Sequence, residues 1–170
     1  MKIKIKLYDG AKLPEKTPKG DWYDIFMPAD GKIEGAYANI LRKNRTVRDI
    51  VWHTELVSLG FAMELPKGFE AIIAPRSSTY KNFHCTNTNN IGVIDNKFMG
   101  DDDVWKAHIK ADNDCEWKAG DRLFQFRIQL NQSATVWQKL RWLFWNGKIE
   151  WVPVEFLGNE NRGGHGSTGK

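Results

Sequence analysis

The sequence has no apolar run approaching the length a bilayer span needs. Its start, Met1-Lys2-Ile3-Lys4-Ile5-Lys6-Leu7, alternates where a signal peptide would hold an unbroken apolar core, so an intracellular, cytoplasmic protein is expected. Cysteine is scarce: Cys85 and Cys115 give no disulfide framework and suit a reducing compartment. His84 and His108 lie near them, but the spacing matches no metal-binding pattern, and buried or free thiols are the expectation. Charge imbalance is small. A net charge of +4 and a pI near 9.0 do not support nucleic-acid binding, yet they would draw in a small polyanion. Helical periodicity is also rare along the chain.

What is abundant is short, β-forming segments between turn signals. Lys2 to Leu7 alternates Lys with Ile or Leu, the mark of a half-buried strand. Further strands are expected at 21–27, 50–52, 56–65, 69–74, 92–94, 104–111, 123–130 and 149–156, with turns such as Leu65-Pro66-Lys67-Gly68 between them. Many short strands in 170 residues indicate an all-β barrel or jelly roll. Residues 36–49, which carry Arg42, Lys43, Arg45 and Arg48, read as a solvated loop or helix end.

One segment departs from this pattern. Ser133 to Trp145 has a candidate N-cap in Ser133, apolar residues at 136, 137, 140, 143 and 144, and a stop at Asn146-Gly147. It reads as a helical insert (133–147) in a domain spanning 1–158. Residues 159–170 then form a Gly-rich arm, mobile unless a ligand holds it. Eight tryptophans are unusual in a chain this short, and two of them, Trp142 and Trp145, fall partly outside the helix's apolar stripe.

Three stretches carry chemistry. Pro75-Arg76-Ser77-Ser78-Thr79 follows a strand and offers a guanidinium and three hydroxyls, donors suited to phosphate oxygens. The arm repeats that chemistry around glycines: Arg162, then flexible backbone, then Ser167 and Thr168. Asn89 to Asp101 reads as a β-hairpin with Asp95 at its tip and Phe98 beside it, although Asp is an ordinary turn residue as well. Grips for phosphates, a hairpin for a base and an acid to activate water together point to a nucleotide or phosphate-ester hydrolase.

At these residues the chain resembles the trimeric all-β deoxyuridine triphosphatases (dUTPases), most closely forms from phages and prophages of Gram-positive bacteria. Five motifs appear in order: Tyr23-Asp24-Ile25; Pro75-Arg76-Ser77-Ser78; Gly92-Val93-Ile94-Asp95; Gly120-Asp121-Arg122 with Gln125; and Arg162 to Gly169. The resemblance implies a distorted jelly-roll barrel that hydrolyses dUTP to dUMP and pyrophosphate, limiting uracil in DNA and supplying dUMP. It implies that Asp95 orients the attacking water, with Asp24 in the water network around Mg²⁺. The metal would be held mainly by the triphosphate and water, with no direct protein ligand. Arg76, Ser77, Ser78 and Gln125 would contact phosphates, and Arg162 would clamp the γ-phosphate. Asn89 would sit beside the uracil, Gly92 and Ile94 would take part in substrate binding, and Phe98 would pack on the deoxyribose. His165, Ser167 and Thr168 would close the arm over the nucleotide. Each site would be shared between subunits of a homotrimer, in a host cell's cytoplasm if the protein is phage-encoded.

The sequence departs from the family pattern in three places. Asp21 and Trp22 stand where a small residue and Gly are usual, and Phe98 stands where Tyr is usual. The fifth motif is two residues shorter, with His165 in place of Phe. Two rival functions stay open. One is a dCTP deaminase, which needs a Glu about where Trp105 stands; the other is a nucleotide-dependent regulatory protein that docks a partner through the Trp-rich insert. An imidazole at 165 titrates, so dUTP affinity is expected to vary between about pH 5.5 and pH 8, and a flat profile would count against the arm closing through His165.

Overall fold

A computed structural model describes residues 1–41, 46–145 and 147–164. In chain order the elements are β1 (Lys2–Leu7), β2 (Glu15–Lys16), β3 (Tyr23–Ile25), β4 (Gly31–Ile33), β5 (Tyr37–Leu41), β6 (Thr46–Val51), β7 (Thr54–Ser58), β8 (Phe61–Glu64) and β9 (Phe69–Pro75). They continue with α1 (Thr79–Phe83), β10 (Cys85–Asn87), β11 (Gly92–Asp95), β12 (Lys106–Ala111), β13 (Cys115–Trp117), β14 (Phe124–Leu130), α2 (Val136–Leu143) and β15 (Glu150–Pro153). The all-β expectation holds. Among the described residues, no helix is long and apolar enough to cross a membrane.

A five-stranded sheet in the order β11-β9-β14-β3-β2 forms the backbone of the fold. Along β14, Phe124, Phe126 and Ile128 are buried while Gln125, Arg127 and Gln129 face outward, the period-2 alternation of a sheet with one wet face. Phe69, Ala71 and Ile73 of β9 bury the same face. The order β15-β1-β8 supplies the opposing wall, with Ile3 and Ile5 inward and Lys2 and Lys4 outward. Between the walls sits Trp105, fully buried, 5.1 Å from the Phe61 ring and 5.2 Å from Phe126. The cysteines are buried thiols. A hydrogen bond to Cys115 and burial together push the Cys85 thiol above its ordinary value.

Several local expectations are corrected. The strand expected over 56–65 is two strands, broken where Gly60 takes φ +82° and a β-carbon would lie 2.8 Å from that of Ala11. The segment 36–49 is not a loop or helix end. It forms the β5–β6 antiparallel pair, with a register shift at Asn39/Ile40; Arg42, Lys43 and Arg45 lie outside the described residues. The short helix α1 was not anticipated. It ends where His84 adopts φ 54°. The expected hairpin at Asp95 has only one strand arm: β11 pairs with β9, and the chain from Asn96 to Gly100 is turn and bend.

The insert is helical, but its cap differs from expectation. Thr135, not Ser133, is the N-cap, with the Gln138 backbone N–H donating to its hydroxyl and Gln138 reaching back to the Thr135 N–H. Ser133 instead donates to the Asn131 side chain. The apolar stripe points outward: Val136, Trp137, Leu143 and Phe144 are 70%, 80%, 73% and 83% exposed. The helix is anchored by its other face. Trp142 packs 5.4 Å from Phe69 and 4.7 Å from Trp145, and Gln138 donates to the Lys67 carbonyl.

Truncating Trp105 removes the ring that joins the two walls. Trp105→Ala is expected to cost about 3–5 kcal/mol, measured as a lower urea unfolding midpoint.

Candidate active site

The sequence-predicted residues form two clusters. The first is built on the register of three strands: Asp24 of β3 lies opposite Gln125 of β14, and Gln125 lies opposite Ala74, two residues before Arg76. Asp24 is buried, and both its carboxylate oxygens are occupied. Arg76 Nε lies 2.8 Å from Oδ1 and Arg122 Nη1 lies 2.9 Å from Oδ2. Arg76 also donates to the Arg122 carbonyl at 3.4 Å, and Gln125 donates to the Pro75 carbonyl at 3.3 Å. One carboxylate serving two guanidiniums leaves the cluster net positive. Each arginine keeps donors turned away from Asp24, as an anion site requires. Ser77 is exposed beside it, and Ser78, at the N-cap of α1, spends no side-chain hydrogen bond on capping.

The second cluster surrounds the end of β11. Asp95 closes the strand and immediately forms an Asx-type turn: Lys97 N–H donates to Oδ1 at 2.8 Å, and Phe98 N–H donates to the Asp95 carbonyl at 3.1 Å. The other carboxylate oxygen accepts from the Arg162 guanidinium. The two side chains are 37% and 39% exposed, so this ion pair is screened and cheap to exchange for another anion. The arm runs on against Phe98, where a β-carbon at Gly164 would lie 3.2 Å from the ring. Asn89 is exposed at the turn before β11, and Gly92 and Ile94 are half-buried in the strand. Asn89, Ile91 and Gly92 line a small cleft of about 50 Å³ together with Asn87, whose side-chain oxygen is buried without a partner among the described residues. His165, Ser167 and Thr168 lie outside the described residues.

The arm is expected to be mobile from residue 159. Its root is hydrogen-bonded to the acids that follow Gly100. Asp101 accepts from Leu157 N–H at 3.0 Å, from Gly158 N–H at 3.2 Å and from Lys6 at 3.0 Å. The Leu157 hydrogen bond and the Lys6 ammonium hold the Asp101 carboxyl below the usual carboxylate range. Asp102 and Asn161 bond reciprocally, N–H to side chain at 2.8 Å and side chain to side chain at 2.7 Å. Buried Asp103 accepts from Arg162 and Gly163 N–H, each at 2.9 Å. Sequence reasoning missed this docking rail. The available signal was three consecutive acids after Gly100 in a chain whose arm exposes backbone N–H groups.

The two clusters are far apart in one chain. Asp95 lies opposite Glu70, whereas Arg76 follows Pro75 at the other end of β9. Six residues of strand separate the two ends by about 20 Å at about 3.3 Å per residue, too far for both side chains to act on one phosphate. No group of three or more His, Cys, Asp or Glu among the described residues could cage a metal ion. Asp24 is committed to arginines and Asp103 to backbone N–H groups. Trp105, where a deaminase would need an acid, is sealed in the core.

No protein-family model matches the chain. Among curated proteins it is 40% identical, over 170 residues and 99% of both chains, to the SPbeta prophage-derived deoxyuridine 5′-triphosphate nucleotidohydrolase YosS of Bacillus subtilis. It is 34% identical over 116 residues to the deoxyuridine 5′-triphosphate nucleotidohydrolase of a Hydrogenobaculum species, covering 67% of this chain and 69% of that one. Among solved structures it is similar to the dUTPase of Streptococcus mutans, with a TM-score of 0.60 at 18% identity, over 77% of this chain and 98% of that one. It is equally similar to the D95N dUTPase of the Staphylococcus aureus phage phi11, which coordinates a structural Mg(II) ion, with a TM-score of 0.60 at 16% identity over 79% and 94%.

Proposed function

Because the chain belongs to the deoxyuridine 5′-triphosphate nucleotidohydrolase family and hydrolyses dUTP, we propose that its two clusters act on one dUTP only when they come from different copies of the chain. The observation that carries this reading is the separation along β9, which no side-chain rotation closes. A closed threefold ring would bring the Arg76 half of each copy against the Asp95 half of a neighbour, giving equivalent sites in a homotrimer. Exposed apolar Ile91 and Val93, beside and on the strand that carries Asp95, support the reading that another copy covers this edge.

Within such a site, Asp95 would accept a proton or hydrogen bond from the water that attacks the α-phosphorus in line, releasing dUMP and pyrophosphate. Arg76, Arg122, Ser77, Ser78 and Gln125 would receive the phosphates, with Asp24 aiming the two guanidiniums. Asn89 and Gly92 would face the base, and the Phe98 ring the sugar. Arg162 would leave Asp95 for the terminal phosphate. That exchange frees the carboxylate for water only once a triphosphate is present. Mg²⁺, carried on triphosphate oxygens and water, would neutralise charge developing on the phosphates. A second reading, partner docking on the insert, is favoured by the outward apolar face of α2.

Asp95→Asn is expected to abolish pyrophosphate release from dUTP while leaving dUTP binding within a few fold. Wild type should release it selectively from dUTP when UTP, dCTP and dTTP are tested alongside. Sharing of sites has a separate test. Arg76→Ala and Asp95→Asn are each expected to be inactive alone. Unfolded together and refolded at equal amounts, they should regain about a quarter of wild-type activity by random assortment of halves. A mixture that stays inactive would rule out shared sites.

A further inference from the structure

We infer that Asp103 is a positioning residue for dUTP hydrolysis: its buried carboxylate fixes the backbone at Arg162 and Gly163 and thereby aims the Arg162 guanidinium. The inference rests on the reading of Arg162 as the clamp on the terminal phosphate.

Asp103 is 1% exposed, and a carboxylate that deep is tolerated only when its oxygens are satisfied. Here they are satisfied by three backbone N–H groups. Gly100 donates to Oδ2 at 2.9 Å and Arg162 donates to the same oxygen at 2.9 Å, while Gly163 donates to Oδ1 at 2.9 Å. One of these donors belongs to the turn that follows Asp95 and Phe98, and the other two belong to the arm. The carboxylate therefore ties the arm root to the turn bearing the water-orienting acid, and the Arg162 side chain emerges at Asp95. Gly163, at φ +71°, bends the chain so that consecutive N–H groups converge on one carboxylate. Gly100 is needed as well. A β-carbon there would lie 2.2 Å from the Asn161 side-chain oxygen and 2.6 Å from its Cα, so the arm root could not seat.

The contact fixes where a flexible guanidinium begins its search. An arginine on a loose glycine-rich arm spends binding energy on ordering that backbone, whereas one whose main chain is already held loses only side-chain freedom. An asparagine at 103 keeps one acceptor oxygen and turns an NH2 toward a backbone donor, leaving that donor unpaired.

The test is calorimetric binding of a non-hydrolysable α,β-imido dUTP analogue and of dUMP, which lacks the phosphates Arg162 would reach. Asp103→Asn should weaken the analogue about tenfold, the size of one lost charge-assisted hydrogen bond, and dUMP by less than about twofold. In an Arg162→Ala background, Asp103→Asn should add no further loss for the analogue. Equal losses for dUMP and analogue, or an undiminished loss without Arg162, would make Asp103 merely structural and overturn the inference. If Arg162→Ala leaves analogue binding intact, the clamp reading fails and the inference falls with it. A loss from Arg162→Ala with none from Asp103→Asn sinks the inference alone. Should Asp103→Asn fail to fold, Asn161→Ala removes the exposed half of the same docking and is read by the same criteria, at a smaller factor.

Discussion

The molecule hangs on β9. It is hydrogen-bonded along both edges, to β11 on one side and β14 on the other, and it buries Phe69, Ala71 and Ile73 on a single face. Its edges determine what each end of the site can contain. The β14 edge fixes Gln125 and, through β3, the Asp24 carboxylate between two arginines. The β11 edge carries Asp95 to the opposite end. A strand slipped by one residue would turn the apolar set outward, so the core that keeps β9 in register also sets the distance between Arg76 and Asp95.

Three acids are each engaged by other parts of the chain. Asp24 is buried between two guanidiniums, Asp95 meets Arg162 at the surface, and Asp103 collects backbone donors. Their burial separates their roles. The deep carboxylates are fixed structural charges whose partners cannot leave without exposing an unpaired group. Of these three, the half-exposed Asp95–Arg162 pair is the one that can change partners.

Much of this was legible in the sequence. The alternation in β1 and β14 and the many short β-forming segments between turns gave the fold class. What was not legible depended on tertiary context. Periodicity identified α2 but not its orientation: five apolar residues mark a helix, whereas Trp142 and Gln138 decide which side meets the barrel, because Phe69 and the Lys67 carbonyl lie there. The 36–49 segment was misread because its arginines outweighed Tyr37, Ile40, Val47 and Ile50, which pair across a ladder. The part played by Asp101 to Asp103 was not legible, since only the folded chain shows that residues 157–163 return to them.

The pairing of β1 with β15 ties the order of synthesis to the order of folding. Lys2 is matched to Glu150 and Ile3 to Trp151, in a parallel ladder that joins the two ends of the described chain. On a ribosome adding about 5–20 residues per second, β1 must wait on the order of ten seconds for this partner. During that wait its outer edge can be protected only by something other than its native neighbour. The lysines alternating along it, at positions 2, 4 and 6, are charges of the kind that discourage one exposed strand from pairing with another. A nascent chain thus carries its own guard against premature association until β15 arrives.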